Sequence, residues 1–370
     1  MDIDNTSHFI LHVSDFHLTD NEEEIKHAQN ALDALVKKLS LDKIKVDYLV
    51  HTGDVIDSSD LYEITAQQLN LESKYFSNNK NKKLFDECQF RENSENKEKE
   101  EFNLKLKELI EKRFNKAKKV FEKFIADLNI PSGNVVICSG NHDVMRPFLI
   151  SNSAIECKKG ENDNWLYTPS KGLKLEENFI PFENFLDDLG VANSKKKHAS
   201  EKTIMCCNLD NLNFLILNTN WKNPKNQKQG YFCTRCDIVN NEVNKITISH
   251  KNLNIILAHK PLYEICEQTR LSYQRYIQTP FMSNLRKFIG GNGIYLCGDK
   301  HTRSIVGSQF HDIPHYIGGE PLKMKANNEV EYNLLQVLEN KLGMERKIHL
   351  KCIMQNDDNS LKWECDIRPQ

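Results

Sequence analysis

Short apolar runs that end abruptly in polar tips recur along the chain, separated by longer stretches with helical periodicity. The run 9–13 is followed by Ser14-Asp15-Phe16-His17. Tyr48-Leu49-Val50 leads to Thr52-Gly53-Asp54, and 135–138 leads to Gly140-Asn141-His142-Asp143. Ile255-Ile256-Leu257-Ala258 precedes His259-Lys260-Pro261, and Ile294-Tyr295-Leu296-Cys297 precedes Gly298-Asp299-Lys300-His301. A further run covers 214–217. Runs that are apolar throughout, without alternation, predict strands covered on both faces. Ile25, Ala28, Leu32, Leu35 and Leu39 predict a helix over 22–39. A second helix is predicted over 102–128, where Leu106, Ile110, Phe114, Ala117, Phe121 and Phe124 share a face and Pro131 and Gly133 follow as breakers. Strands alternating with helices predict an α/β fold, in which ligands collect at the carboxyl ends of the strands.

Two stretches break the rhythm. Residues 60–101 are rich in Lys, Glu and Asn without a clear period, and are expected to form a partly flexible insertion. Residues 146–203 hold Trp165, Tyr167 and Lys195-Lys196-Lys197 and are expected to form loops and helix over a site. The tail, 328–370, alternates short apolar runs with turn residues and is expected to form late β-strands.

At 370 residues the chain is long enough for about two domains, or for one large domain with insertions. Lys and Arg number 50 against 52 Asp and Glu, so no global field points to nucleic acid or membrane. The first twenty residues lack a basic stretch followed by an apolar one, no run reaches membrane-spanning length, and the 11 Cys have no regular spacing. These features predict a cytoplasmic protein with reduced thiols and no membrane contact.

The polar tips carry the chemistry. Asp15 and His17 lie at i and i+2, Asp54 and Asp57 share Gly-Asp-Val-Ile-Asp, Asn141 and His142 are adjacent, His259 follows a strand, and Asp299 and His301 share Gly-Asp-Lys-His. Alone, each reads equally as a turn, a helix N-cap or a core histidine. As a set at successive strand ends they supply the mixed oxygen and nitrogen donors, and a carboxylate able to bridge, that a two-metal site needs. Gly53, Gly140 and Gly298 would let the backbone turn tightly at these tips.

In this order the blocks Asp15-Phe16-His17, Gly53-Asp54-Val55-Ile56-Asp57, Gly140-Asn141-His142-Asp143, His259 and Gly298-Asp299-Lys300-His301 resemble the calcineurin-like metallophosphoesterase superfamily. The contexts of the first block and of His259 are most similar to its cyclic-nucleotide phosphodiesterase-type and SbcD-like branches. The resemblance implies a four-layer α/β/β/α sandwich with inserted helical or cap segments. A catalytic domain would span 1–327, with insertions at 60–101 and 146–203, followed by a C-terminal β-strand extension over 328–370. It implies one divalent ion held by Asp15, His17, Asp54 and His301, and a second by Asp54, Asn141, His259 and, by position, Asp299. It also implies that His142 faces the leaving oxygen, that Asp57 orients His142, and that a metal-activated hydroxide hydrolyses a phosphoester. Arg303 is a candidate contact for phosphate. Asp299 stands where the family has His, and a carboxylate there favours Mn or Mg over Zn, with Fe a further candidate.

The expected activity is therefore a phosphodiesterase or nuclease, or a phosphatase, acting on a nucleotide or nucleic acid. The alternative is a catalytically weak scaffold, or a subunit of a larger ATPase-containing nuclease or defence complex. In that case the apolar face of 102–128, if exposed, would be the interface. A homo-oligomer is also open. A structural zinc from Cys206-Cys207 and Cys233-Thr-Arg-Cys236 is a weaker reading, and the chain has no Walker A motif, nucleophile elbow or Rossmann fingerprint.

Overall fold

The computed structural model describes residues 6–79, 82–145, 156–159, 165–168, 178–193, 204–209, 212–220, 253–262, 280–289, 293–300, 304–306, 315–318, 332–339, 349–355 and 361–366. Strand β1 (Thr6–Val13) leads to helix α1 (Glu22–Leu41), which starts where the Asn21 side chain accepts a hydrogen bond from Glu23 N at 2.9 Å. Three glutamates in the first turn complement the positive end of the helix. After β2 (Tyr48–His51) come α2 (Leu61–Gln68), α3 (Glu72–Tyr75), the hairpin β3 (Phe76–Asn79) and β4 (Lys82–Phe85), α4 (Glu87–Asn93) and the long α5 (Asn96–Asp127). Next are β5 (Val135–Ile137), the hairpin β6 (Glu156–Lys159) and β7 (Trp165–Thr168), α6 (Ile180–Leu189), β8 (Ile204–Leu209) and β9 (Leu212–Leu217). The described part continues with β10 (Leu253–Ala258), α7 (Pro280–Ile289), β11 (Ile294–Cys297), β12 (Ser304–Val306) and β13 (His315–Ile317). It closes with β14 (Tyr332–Glu339), β15 (His349–Gln355) and β16 (Leu361–Asp366).

Two six-stranded mixed sheets result, ordered β16-β15-β14-β1-β2-β5 and β12-β13-β11-β10-β9-β8. They face each other across a core in which Ile10, Val50 and Val136 of the first meet Phe214, Ile216, Ile255, Leu257, Ile294 and Leu296 of the second. The alternate residues Leu11, Val13, Leu49, Val135 and Ile137 pack outward against α1, α5 and α6. On the far side α7 buries Met282, Leu285 and Phe288 beside β10. These four layers are the expected α/β/β/α sandwich, and strands sandwiched in this way explain runs that are apolar on both faces. The tail strand β14 lies antiparallel beside β1, with Leu11 opposite Leu334, so the last strands complete the first sheet.

Some expectations are revised. Helix α5 starts six residues before its apolar stripe. Glu98 accepts a hydrogen bond from Glu95 N at 3.2 Å and also binds Lys74 Nζ at 2.7 Å and Tyr75 OH at 3.0 Å. Described residues of the polar stretch 60–101 join the core: Leu61, Tyr62, Ala66, Tyr75 and Phe90 are buried, and the Phe90 ring lies 5.0 Å from that of Phe102. No period was visible there because the helices, of eight, four and seven residues, are too short to repeat a stripe. The apolar face of α5 is core, with Phe114 and Phe121 against Phe185 of α6, so it offers no interface. No described helix is long and apolar enough to cross a membrane.

Candidate metal centre

The parallel pairing of β1 and β2 continues past their ends. Asp15 N donates to Gly53 O at 2.9 Å, His17 N to Asp54 O at 3.0 Å and Leu18 N to Val55 O at 3.0 Å. Within this tip Phe16 turns down into the core. Its ring meets His51 edge-on at 4.7 Å and Phe121 at 5.1 Å, and it pins a loop whose neighbours Asp15 and His17 serve the site. Asp15, His17, Asp54 and Asp299 hold left-handed backbone, with φ of 53°, 47°, 56° and 70°. Such conformations cost non-glycine residues about 1–3 kcal/mol each. Four of them at three strand ends mark loops shaped by what they present.

The glycines divide into two kinds. Gly53 turns the chain as expected, at φ 97°. Gly140 and Gly298 permit close approach instead: a Cβ at Gly140 would lie 2.0 Å from Asp54 Oδ1, and one at Gly298 would lie 1.9 Å from Ser14 Oγ. Asp143, quoted in the motif without a role, ties these loops together. Its carboxyl accepts from Val55 N at 2.8 Å, Ile56 N at 3.2 Å and Gly140 N at 2.7 Å. Burial, with Asp54 nearby, pushes the Asp143 carboxyl up to about 7.

Asp54 is the hub. Its Oδ1 accepts His142 N at 2.8 Å, and its Oδ2 lies 3.2 Å from His259 Nε2 and 3.7 Å from His17 Nε2. His17 Nε2 is 3.9 Å from Asp15 Oδ1. His259 Nε2 is 3.1 Å from Asn141 Oδ1 and 3.4 Å from Asp299 Oδ1, while Asp299 N donates to Asp15 Oδ1 at 3.1 Å. The other His259 nitrogen, Nδ1, lies 2.9 Å from Thr52 O. A proton on Nδ1 donated to that carbonyl aims the Nε2 lone pair at the acidic cluster. His142 Nδ1 lies 3.1 Å from Asp57 Oδ1, and its ring stands edge-on to His17 at 4.8 Å. Six of the seven expected metal ligands thus converge, as does the His142–Asp57 pair. His301 and Arg303 lie outside the described residues, as do Lys195–Lys197, Cys233 and Cys236.

The electrostatics fit a cation. Asp15, Asp54 and His259 are fully or almost fully buried. Burial alone opposes the ionised form of Asp54, yet the charge and hydrogen bond of His259, with His142 and His17, hold its carboxyl far below the usual range. Burial likewise opposes a charged His259, but Asp54, Asp299 and Asp15 outweigh it and raise its proton affinity. A pocket that binds a proton this firmly favours any positive charge in that place. Two groups could each hold an ion, Asp15 with Asp54 and His259, and His17 with Asp54 and His142, the donor atoms of each lying within 4.8 Å of one another. The second places His142 beside metal-capable side chains as well as beside Asp57. Burial pushes the nearby Cys138 and Cys297 thiols up, so they stay protonated and leave a hard, oxygen-and-imidazole donor set. Cys206 and Cys207 occupy adjacent strand positions and point to opposite faces, which argues against their sharing a structural zinc.

Two features of the site escaped the sequence reading. Lys260 Nζ donates to Asp299 Oδ1 inside the cluster. The tip of β9 adds Asn218 and Asn220, both buried. Asn220 donates to Ser139 O at 2.9 Å, while Asn218 Nδ2 and Asn220 Oδ1 have no partner among the described residues. The sequence carried a signal for both asparagines, since 218–220 follows an apolar run like every other polar tip.

Residues 10–88 match the family model described as Calcineurin-like phosphoesterase. Among solved structures, the chain is similar to a conserved Streptococcus pneumoniae protein classed with phosphoesterases, at 9% identity over 98% of this chain and 99% of that one, with a TM-score of 0.30. It is also similar to PhoD, at 11% identity over 98% and 72% of the two chains with a TM-score of 0.43. Similarity to GAP50 of Plasmodium, the anchor in its inner membrane complex, is 11% over 98% and 90%, with a TM-score of 0.39. No curated protein sequence matches the chain.

Proposed function

We propose that the chain, whose residues 10–88 match the Calcineurin-like phosphoesterase model, is a metal-dependent hydrolase of phosphoesters, and more narrowly a phosphodiesterase acting on nucleotides or nucleic acid at the Asp54 centre. The observation that carries this reading is the convergence on Asp54 of side chains from separate strand ends, with His142 and its partner Asp57 at the edge. Asp15, His17 and Asp54, with His301, would hold one divalent ion, and Asp54, Asn141, His259 and Asp299 the other. The donor set suits manganese best, with Fe, Zn and Mg as alternatives. When bound, the ions supply an activated water and neutralise charge on the phosphoryl oxygens.

The remaining work falls to the chain itself. Asp57 holds the Nδ1 side of His142, which leaves the opposite nitrogen to donate a proton to the departing oxygen. Hydrogen bonds from His142 and Ser59 outweigh burial and keep the Asp57 carboxyl well below the usual range, so it remains an anion that orients the imidazole. His259 is locked by Thr52 O, and the peptide N–H of His142 fixes one oxygen of Asp54. An alkoxide leaving group, from a diester or an alkyl monoester, profits most from such a donor. The test is hydrolysis of monoesters, cyclic nucleotides, bis-p-nitrophenyl phosphate, and single- and double-stranded DNA and RNA with added manganese. Asp54→Asn should lose activity and metal, and His142→Ala should lose about 10²–10⁴-fold in kcat while keeping metal. Full activity in both variants would end this reading.

A further inference from the structure

We propose that Lys260 is a built-in cation of the centre, which holds Asp299 and competes with the second metal ion, so that this protein binds one divalent ion firmly and a second only by displacing the lysine. The inference rests on the proposed metal centre and concerns how it is loaded. Lys260 Nζ donates to Asp299 Oδ1, the same oxygen that lies 3.4 Å from His259 Nε2. That nitrogen is in turn 3.2 Å from Asp54 Oδ2 and 3.1 Å from Asn141 Oδ1. The ammonium therefore sits on a donor of the His259 side of the cluster. The pair is almost entirely withdrawn from water, with side-chain exposures of 11% and 12%. A buried ammonium with its carboxylate is costly to separate, so an arriving ion must both break the pair and tolerate the amine nearby.

The backbone holds the lysine there independently of its charge. Lys260 N donates to Thr219 Oγ1 at 3.4 Å, and Lys260 O accepts from Tyr295 OH at 2.7 Å. Asp299 is held from its own backbone, at φ 70° with its N–H on Asp15. Neither anchor depends on the side-chain pair, so substitution of Lys260 should leave the loops in place. The charge argument also accounts for the carboxylate at 299. Asp can pair with an ammonium through its charge, whereas a neutral imidazole in its place offers no charge to hold one.

The experiment is manganese binding to the full chain, by calorimetry and by electron paramagnetic resonance, for the wild type, Lys260→Gln and Lys260→Arg. The wild type should bind one firm ion per chain and give the spectrum of isolated Mn(II). Lys260→Gln should bind the second ion more tightly by a factor on the order of ten to a hundred and give the spin-coupled signal of a pair. Lys260→Arg should restore the single-ion behaviour. Two firm ions in the wild type, or one ion in both the wild type and Lys260→Gln with circular dichroism reporting a folded variant, overturns the proposal while leaving the metal centre intact. No manganese bound by any of the three overturns the centre and this inference with it.

Discussion

Replacing Arg113 by Met should destabilise the protein and loosen the site from a distance. Arg113 sits on α5 at 1% side-chain exposure and reaches three places at once. Nη2 binds Asp20 Oδ2 at 3.0 Å and Nη1 binds Asp60 Oδ1 at 2.6 Å, while Nη1 also donates to the backbone carbonyl of Asp57. It thus joins the loop after β1, the start of α2 and the residue that holds His142. The two carboxylates are 29% and 51% exposed, so water takes over most of their loss, and each contact counts for about 0.5–1 kcal/mol. The Asp57 carbonyl loses a charged donor in a buried setting, for about 1–3 kcal/mol. Methionine keeps most of the aliphatic packing, so the total is about 2–5 kcal/mol. Urea unfolding should show a lower midpoint at constant slope. Turnover should fall roughly tenfold or less with manganese binding unchanged, because His142 is freed while Asp54 is not. Stability within about 0.5 kcal/mol of wild type would refute the reasoning, since surface substitutions lie in that range.

Other outcomes follow from the same geometry. Gly140→Ala forces a methyl to within 2.0 Å of Asp54 Oδ1 and 2.1 Å of Asp54 N, so soluble protein should be destabilised and should lose manganese affinity in calorimetry. Phe16→Ala removes a ring packed on His51, Phe121 and Phe124 and should cost about 3–5 kcal/mol in chemical denaturation. His12 is fully buried between Thr52 and Asn333, and burial depresses its pKa to about 3. The folded state therefore refuses a proton that the unfolded chain takes up below about 6.5, and stability present above that pH is lost as pH falls toward 3. In His12→Gln the slope of stability against pH between 6 and 4 should be smaller than in wild type by up to about 1.4 kcal/mol per unit, and equal slopes would contradict the assignment. Removal of bound metal with a chelator should cost the linkage stabilisation, about 2.7 kcal/mol at a hundredfold excess of ion over its dissociation constant, and so lower the melting temperature. An unchanged melt would mean that no ion is held.

The sequence by itself determined the strands β1, β2, β5, β9, β10 and β11 and what the tips of most of them carry, because both are local patterns. A run such as Ile255–Ala258 is apolar throughout only if both faces are covered, and the polar residues behind it mark where that cover ends. Asp15, His17, Asp54, Asn141, His142 and His259 were legible for that reason, as was the stripe that makes α5 a core helix. The tertiary structure decided what lies between such segments. Asp143 bonds to residues 87 and 88 positions away, Arg113 reaches Asp20 across 93, and Lys260 meets Asp299 across 39. No spacing rule encodes these contacts, since they exist only once the sheet order has brought separate loops to one place. The close approach at Gly140 and the seat of β14 beside β1 are of the same kind: local chemistry chooses the parts, and their neighbours are chosen by how two sheets and their helices exclude water together.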